Sequence, residues 1–359
     1  MDMNINIMKS LIHNASNSAM KKAFGEGIFY KHAVVKYRNF LAWINRLTSR
    51  KSARYFDFLQ VDNASFPDVF YCHEHYYQNS LYGIAPTLRC YAKYDHKICA
   101  CIEHGVYFGD YINSKEVTNN ELSGIITFSQ TRKEHIQVAK DVDVYPIGPY
   151  IQYSKCLLSD KEIENTKKQF GKTLIAFPSH SVTGSKTDYD INKFISELLA
   201  IKEKEHFNTV LINLYYTDII NGSAEIYCSN GFRVTSAGNR FDPLFLARLR
   251  TLIELSDFSI SNSCGTHVGY CVALGVPHAI FQQNTSFIID SSAELINQNN
   301  SNLRHQEIEE VLNAFPYCIS SEITENQKNV CEKYWGLGIK QSPKEMNQLL
   351  AKLSTQFNN

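Results

Sequence analysis

The stretch FSISNSCGTHVGYCVALGVPHAI, residues 258–280, decides the fold that we predict for this chain. Its first four residues form an apolar strand, a small hydroxyl-rich loop follows, and residues 267–275 have the composition of a short helix. A second apolar strand, predicted at 276–282, comes directly after the helix. Strands that alternate with helices across short loops are typical of an α/β fold with a parallel sheet. We therefore predict that this stretch is the ligand-binding end of a Rossmann-like domain.

The same alternation extends upstream through both halves of the chain. Further strands are predicted at 97–105, 124–130, 142–151, 172–181, 208–216 and 232–238. Helices are predicted between most of them, and the helix at 242–257 has Asp242 as its expected N-cap, with Pro243 in the first turn. Regular alternation of this kind indicates a doubly wound parallel sheet.

The polar, charged segment 159–170 separates the two halves, and we place the domain boundary there. The predicted fold class is two Rossmann-like α/β domains that face a cleft, followed by C-terminal helices. The predicted units are an N-terminal domain, a C-terminal Rossmann-like domain and a last helix that crosses back onto the first domain, at 1–158, 171–335 and 336–359.

The composition indicates a globular protein without a nucleic-acid partner. The 36 Lys and Arg residues balance the 36 Asp and Glu residues, so no overall positive charge attracts a polyanion. No apolar run reaches the roughly 18–20 residues of a membrane-spanning helix, and the N-terminus lacks the apolar core of a signal peptide. The 10 cysteines are scattered, mostly in apolar segments, as expected of reduced thiols. We therefore expect a cytoplasmic protein.

The segment 21–54 is basic and also rich in aromatic and aliphatic residues. Two interpretations stay open for it. A basic amphipathic helix would lie on the anionic inner face of a membrane, which would make the protein peripheral there. Alternatively, the helix packs on its own domain and turns its basic face to water.

Polar residues concentrate directly after the predicted strands of the C-terminal half. In open α/β sheets, ligands bind beyond the carboxyl ends of the strands, so these residues are the candidate ligand-binding groups. They are Ser179, His180, Ser181, Thr183, Tyr215, Arg240, Ser261, Asn262, Ser263, Gly265, Thr266 and His267.

The loop SNSCGTH, which enters a helix at about Gly265 and Thr266, is the strongest phosphate-binding candidate. Free N–H groups at a helix start bind phosphate, and glycine lets a ligand approach closely. The alternative is an ordinary N-cap with a packing glycine. Arg240 would clamp a diphosphate through two hydrogen bonds, or else form a surface salt bridge.

In the N-terminal half, the sequence EHG at 103–105 is the best candidate for acid–base chemistry. Histidine titrates near neutrality, and we expect the neighbouring Glu103 carboxylate to raise the pKa of His104. The alternative is a structural histidine at a strand end. The sequence HEH at 73–75 is a rival metal site, but it lacks an evident third ligand, so we predict neither a metal nor another cofactor.

The segments FPSHS, NLYYTD, VTSAGNRFD and SDFSISNSCGTHVGYCVALGVP resemble the donor-binding domain of bacterial glycosyltransferases of the GT-B type. The resemblance covers roughly residues 97–282. It implies transfer of a sugar from a nucleotide donor to a glycan or lipid-linked acceptor in surface polysaccharide synthesis, such as O-antigen or capsule. It also implies His104 as the base, assisted by Glu103, in an inverting reaction that needs no metal.

Two other functions stay compatible with these residues. Sugar-nucleotide epimerases share the same loop pattern and convert the nucleotide sugar without an acceptor. A non-catalytic module would keep the fold and bind the nucleotide sugar only.

Overall fold

The computed structural model describes residues 57–61, 74–112, 122–181, 185–289 and 301–358, together with 19, 22 and 23. Nearly all of the basic segment 21–54, for which we predicted membrane contact, lies outside the described residues. Within the described ranges, no helix combines the length and the apolar character that crossing a membrane requires.

The N-terminal half contains a small parallel sheet, with the strands in the order β1-β2-β3. The strands are β1 (Cys101–Ile102), β2 (Ile125–Thr127) and β3 (Val144–Pro146). Helix α1 (Ile84–Ala92) precedes β1, and α2 (Gln130–Ala139) connects β2 to β3. Ser129 caps α2, because its side chain accepts a hydrogen bond from the Arg132 N–H.

The C-terminal half contains a five-stranded parallel sheet and a separate antiparallel pair. The parallel strands are β4 (Thr173–Phe177), β6 (Thr209–Asn213), β7 (Arg233–Thr235), β8 (Phe258–Ser261) and β9 (His278–Ile280). The antiparallel pair consists of β5 (Ser185–Asp188) and β10 (Ser286–Ile289). The predicted α/β class with parallel sheets is thereby confirmed.

Helices connect and cover these strands. They are α3 (Asp160–Phe170), α4 (Ile191–Lys204), α5 (Tyr216–Ile220), α6 (Ser223–Ser229), α7 (Phe245–Glu254), α8 (Thr266–Ala273), α9 (Asn302–Ala314), α10 (Glu325–Trp335) and α11 (Pro343–Asn358). The last of them, α11, packs against α1 of the N-terminal half. The Asn347 side-chain amide on α11 donates to the Ala92 carbonyl oxygen at 3.0 Å.

The order of the five strands, β7-β6-β4-β8-β9, reverses at β4. From β4 the chain first builds outward through β6 and β7, and then returns to add β8 and β9 on the other side. The carboxyl ends of β4 and β8 therefore lie side by side, with Phe177 opposite Ser261. Such a switch point is where open α/β sheets bind ligands, since the loops leave the two strands in opposite directions.

Strand β1 is much shorter than the predicted strand at 97–105. Side chains from earlier in the chain accept hydrogen bonds from backbone N–H groups of this segment. The Glu74 carboxylate accepts from the Ile98 N–H at 2.8 Å, and the Asn79 side-chain oxygen accepts from the Ile102 N–H at 2.9 Å. Buried polar side chains therefore bond the backbone in and just before β1, in addition to the pairing with the segment of β2.

The predicted N-cap of the helix at 242–257 is wrong. Helix α7 begins at Phe245, with Leu244 in the N-cap position. Asp242 is instead fully buried and forms an ion pair with Arg248 at 2.6 Å. The carboxylate holds the turn before the helix, because it also accepts from the Leu244 N–H at 2.9 Å.

Helix α8 is fixed in place by Trp335 at the end of α10. The indole is fully buried, and its N–H donates to the Thr266 carbonyl oxygen at 3.1 Å. Gly269 makes this packing possible, since a Cβ atom added there would lie 2.2 Å from the indole Cγ. The first two turns of α8 therefore depend on a glycine that gives the indole room.

We expect Gly269→Ala to lower the free energy of unfolding by about 1–3 kcal/mol or more, because the added methyl group overpacks a closed core. Urea denaturation at neutral pH measures the change. A second substitution, Trp335→Leu, should restore part of the loss in the double variant by removing the colliding ring. If the losses in unfolding free energy of the two single variants simply add in the double variant, residue 269 and Trp335 do not contact each other.

Candidate functional site

A cleft of about 720 Å³ lies at the carboxyl ends of β4 and β8, between the two halves of the chain. Tyr82, His104 and Gly105 line it from the N-terminal half. The structure brings most of the predicted binding residues to the opposite wall. Those that line the cleft are Ser179, His180, Tyr215, Asn262, Ser263, Gly265, Thr266 and His267.

Of the predicted residues that the structure describes, Ser181, Ser261 and Arg240 are not among those that line the cleft. Ser181 is buried, where its N–H bonds the Asp218 carboxylate and its hydroxyl accepts from the Thr187 N–H at 3.0 Å. Ser261 is also buried, and its hydroxyl donates to the Ser263 carbonyl oxygen at 2.8 Å. Thr183 lies outside the described residues.

The start of α8 faces the cleft with its backbone N–H groups. Gly265 is the N-cap, and its carbonyl oxygen accepts from the Val268 N–H at 3.1 Å. The N–H groups of Thr266 and His267 precede Val268 in the first turn of the helix. N–H groups of a first turn have no partner within the helix. A helix start of this kind stabilises an anion through its N–H groups and its dipole.

A hydrogen-bond network joins the loops that follow β4 and β8. Both the N–H and the hydroxyl of Ser179 lie within bonding distance of the Asn262 side-chain oxygen, at 2.7 and 2.8 Å. The Ser179 and Ser263 hydroxyl oxygens are 2.7 Å apart. Since Ser179 gives its one hydroxyl hydrogen to Asn262, Ser263 donates to Ser179. Asn262 therefore links the loop after β4 to the loop after β8. The hydroxyls of Ser179 and Ser263 form a hydrogen-bonded pair beside the helix start.

His267 is held as a neutral imidazole in the cleft wall. Its ring stacks on Phe177, with the ring centres 4.9 Å apart, and one ring N–H donates to the Ser263 carbonyl oxygen. Burial, together with the nearby His180, lowers the pKa of His267 to about 3. The Nε2 atom is buried and has no hydrogen-bond partner among the described residues. In the neutral ring this nitrogen is an acceptor, so it suits a ligand hydroxyl.

His104 is the titratable group on the opposite wall. Its ring lies next to Tyr82, and the Tyr107 hydroxyl is 3.3 Å from Nε2 and 3.4 Å from Nδ1. Burial lowers the pKa of His104 to about 4, and the positive charge of Arg240 acts in the same direction. The imidazole is therefore neutral at pH 7 and able to accept a proton.

Glu103 does not share the cleft with His104, and the predicted pairing of the two is wrong. Successive side chains of an extended segment point to opposite faces, so Glu103 turns into the core. There its carboxylate pairs with Arg132 at 2.6 Å and accepts from the Thr127 hydroxyl at 2.6 Å. The expected rise of the His104 pKa is a lowering instead, because burial and Arg240 act on a ring that Glu103 does not face.

Arg240 lies close enough to His104 for its charge to act on the imidazole, although it is not among the residues that line the cleft. Its backbone carbonyl oxygen accepts from the Tyr82 N–H at 2.5 Å, and its guanidinium lies over the Phe241 ring. Within the described part of the chain it forms no salt bridge, and its buried Nε has no hydrogen-bond partner.

Several residues of the cleft were missed by the sequence analysis. Tyr82 lies in a turn with φ of 56°, and Tyr107 follows the base candidate by three residues. Arg304 and His305 reach the cleft from α9, beyond the last strand of the sheet. No local pattern predicts them, since their position depends on how α9 packs against the N-terminal half. Among the described residues, no group of three side chains is arranged to hold a metal ion.

No protein-family model matches this chain, and no curated protein matches it. Several solved structures match it. The wall teichoic acid polymerase TagF aligns over 68% of this chain at 13% identity, with a TM-score of 0.40. The UDP-GlcNAc 2-epimerase from Neisseria meningitidis, bound to UDP-GlcNAc, aligns over 66% at 13% identity, with a TM-score of 0.34. A glycosyltransferase from Rickettsia africae aligns over 72% at 16% identity, with a TM-score of 0.29.

These neighbours have the GT-B fold, the class that the sequence resembles. The alignments span 60%, 62% and 65% of the lengths of the three proteins, in the order given. At these identities and TM-scores the likeness carries no argument about function, so the function has to be argued from the cleft itself.

We expect Glu103→Gln to lower the free energy of unfolding by about 3–5 kcal/mol, because it leaves the buried Arg132 charge without its carboxylate. Denaturant titration measures the loss. Glu164→Gln is the matched control, since it breaks an exposed pair with Lys168 and should cost less than about 1 kcal/mol. Equal losses for the two variants would contradict the structural role of Glu103.

The buried histidines predict a pH-dependent stability. The folded-state pKa values of His104 and His267, about 4 and about 3, lie below the value of about 6.5 for an unfolded chain. Between these limits the unfolded state binds more protons, so stability falls as the pH is lowered from about 6.5 towards 4. We expect His267→Gln to flatten this slope in denaturation curves recorded across that range. The exposed His96, replaced by Gln, is the matched control, and a His267→Gln slope parallel to the wild-type one would be the contrary result.

Proposed function

We propose that the cleft is the active site of a glycosyltransferase that moves a sugar from a nucleotide-sugar donor to an acceptor hydroxyl. One observation carries the proposal: a neutral histidine, His104, and the N–H groups at the start of α8 line the same cleft from opposite halves of the chain. Transfer of a glycosyl group needs both a base for the nucleophile and a stabiliser for the departing phosphate.

On the donor side, the diphosphate would lie at the start of α8. The N–H groups of Thr266 and His267 are donors that are already in place before the reaction, and the Ser263 hydroxyl becomes a further donor when it turns from Ser179 to the phosphate. Preorganised donors of this kind stabilise the charge that develops on the leaving group, without a cost in reorganisation. We propose on this basis that the reaction is metal-independent.

On the acceptor side, His104 would take the proton of the attacking hydroxyl. The acceptor oxygen forms a bond to the anomeric carbon, the bond from that carbon to the phosphate oxygen breaks, and the nucleoside diphosphate departs with the bonding electrons. A single displacement of this kind inverts the anomeric configuration. The acceptor we propose is a glycan or a lipid-linked glycan of a bacterial surface polysaccharide, such as O-antigen or capsule.

Donor binding is tested by melting curves with UDP-, GDP-, CMP- and TDP-sugars. A ligand present at about 100 times its Kd stabilises the folded state by about 2.7 kcal/mol, so at least one donor should raise the melting temperature. Ser263→Ala should weaken that stabilisation, whereas Ser196→Ala, which removes an exposed hydroxyl on α4, should leave it unchanged. The proposal fails if no donor stabilises the wild type.

His104→Gln tests the base. We expect kcat to fall by about 10²–10⁴-fold, the usual contribution of a general base, while donor binding is retained. In the wild type, kcat/KM should be level near pH 7 and fall as the pH approaches about 4, because protonated His104 accepts no proton. Replacement of His96, an exposed histidine outside the cleft, is the control.

The products distinguish the proposal from its alternatives. A changed nucleotide sugar formed without any acceptor would indicate an epimerase instead. Donor binding without turnover in the presence of a broad acceptor set would indicate a binding module. Unchanged turnover by His104→Gln would remove the histidine from the mechanism.

A further inference from the structure

The Thr266 side chain joins the two halves of the chain at the cleft. Its Oγ1 accepts a hydrogen bond from the Val106 N–H at 3.0 Å, across 160 residues of sequence. Gly105 lies against the same oxygen, since a Cβ atom added to that glycine would be 3.2 Å from it. We call residues 104–107 the base loop, because they carry His104 and follow strand β1.

The other side of Thr266 is fixed as well. Its carbonyl oxygen accepts from the buried indole of Trp335 at 3.1 Å, so the first residue of α8 is anchored on α10. The base loop is therefore fastened to a rigid point rather than to a mobile side chain. The Val106 bond uses Oγ1 only as an acceptor, which leaves the hydroxyl hydrogen of Thr266 for another acceptor.

Thr266 thus joins the base loop to the start of α8. His104 precedes Val106 by two residues, and the N–H of Thr266 is one of the groups at the helix start. The Val106 bond to this side chain is therefore one of the contacts that fix the base loop relative to the helix start. Reacting groups have to be held within a fraction of an ångström, and a displacement of about 1 Å costs on the order of 10²-fold in rate.

We propose that Thr266 is a positioning residue, whose hydroxyl oxygen holds the base loop in register with the start of α8. The inference rests on the proposed function, since it takes His104 as the base. It differs from a role as a phosphate ligand, because the contact that matters is the one to Val106. A group that only binds the ground-state donor acts on KM, whereas positioning the base and stabilising the leaving phosphate both act on kcat. Positioning alone also predicts that Gly105→Ala lowers kcat with the threonine intact and that loss of the Thr266 oxygen speeds exchange of the Val106 amide.

Two variants of Thr266 separate these roles. Thr266→Val keeps the size and branching of the side chain but removes the acceptor oxygen, and Thr266→Ser keeps the oxygen. Gly105→Ala disturbs the same contact from the other side while the threonine stays intact. Thr251→Val is the matched control, since Thr251 accepts the Leu157 N–H at 2.8 Å in the same manner on α7, outside the cleft.

We expect Thr266→Val to lower kcat by about 100-fold, with the donor KM changed less than about threefold. Thr266→Ser should stay within about threefold of the wild type, and Gly105→Ala should lower kcat in the same sense as Thr266→Val. Thr251→Val should lose melting temperature as Thr266→Val does, yet keep its kcat. The inference is overturned if Thr266→Val keeps kcat, if only KM rises, or if the control loses kcat as well.

Amide hydrogen exchange tests the contact independently of turnover. The Val106 amide should exchange slowly in the wild type and in the Ser variant, and at least about tenfold faster in Thr266→Val, because local opening then needs no bond to break. If the wild type transfers no sugar, the proposed function fails, and exchange still decides whether Thr266 holds the loop. Equal exchange in the wild type and in Thr266→Val overturns the inference.

Discussion

The pairing of β4 with β8 is the contact on which the rest of the cleft depends. These two strands lie side by side only because the chain returns to the middle of the sheet after building outward through β6 and β7. Their carboxyl ends bring together two loops that are more than 80 residues apart in the sequence, and Asn262 joins them to Ser179. The start of α8 follows β8 after a short loop, so the position of β8 determines where the helix begins. A displaced β8 would thus separate the Ser179 hydroxyl from the helix start.

Exclusion of water gives the cleft its chemical character. Histidine has an ordinary pKa near 6.5 and would be partly charged at neutral pH in water. Burial lowers the pKa of both His104 and His267, so each ring keeps a nitrogen lone pair. Arg240 adds to the effect on His104, and it keeps a positive charge on the same side. His104 is therefore a neutral hydrogen-bond acceptor close to a positive charge.

Local signals made part of this site predictable. The apolar run of β8, the small residues after it and the helical composition of α8 are adjacent in the sequence, so the sequence predicts the strand, the loop and the helix start together. That the loop binds a ligand stays a prediction. The predicted pairing of Glu103 with His104 is wrong, because neighbours along the chain need not be neighbours in space. The Glu103 carboxylate instead accepts a hydrogen bond from Arg132, 29 residues away. The predicted N-cap role of Asp242 is wrong for a similar reason, since its carboxylate forms an ion pair with the buried Arg248.

The sequence alone determined the alternation of strands and helices, the parallel class of the sheet and the polar ends of its strands, because hydrophobic periodicity and helix-start residues act over a few neighbours. Tertiary structure alone decided which polar ends share a cleft. It turned Glu103 inward, brought Arg304 from α9 to the wall, and set the Val106 N–H against Thr266. These contacts join segments far apart in the chain, and they depend on strand order and on the shape of the packed core, which no short pattern of residues encodes.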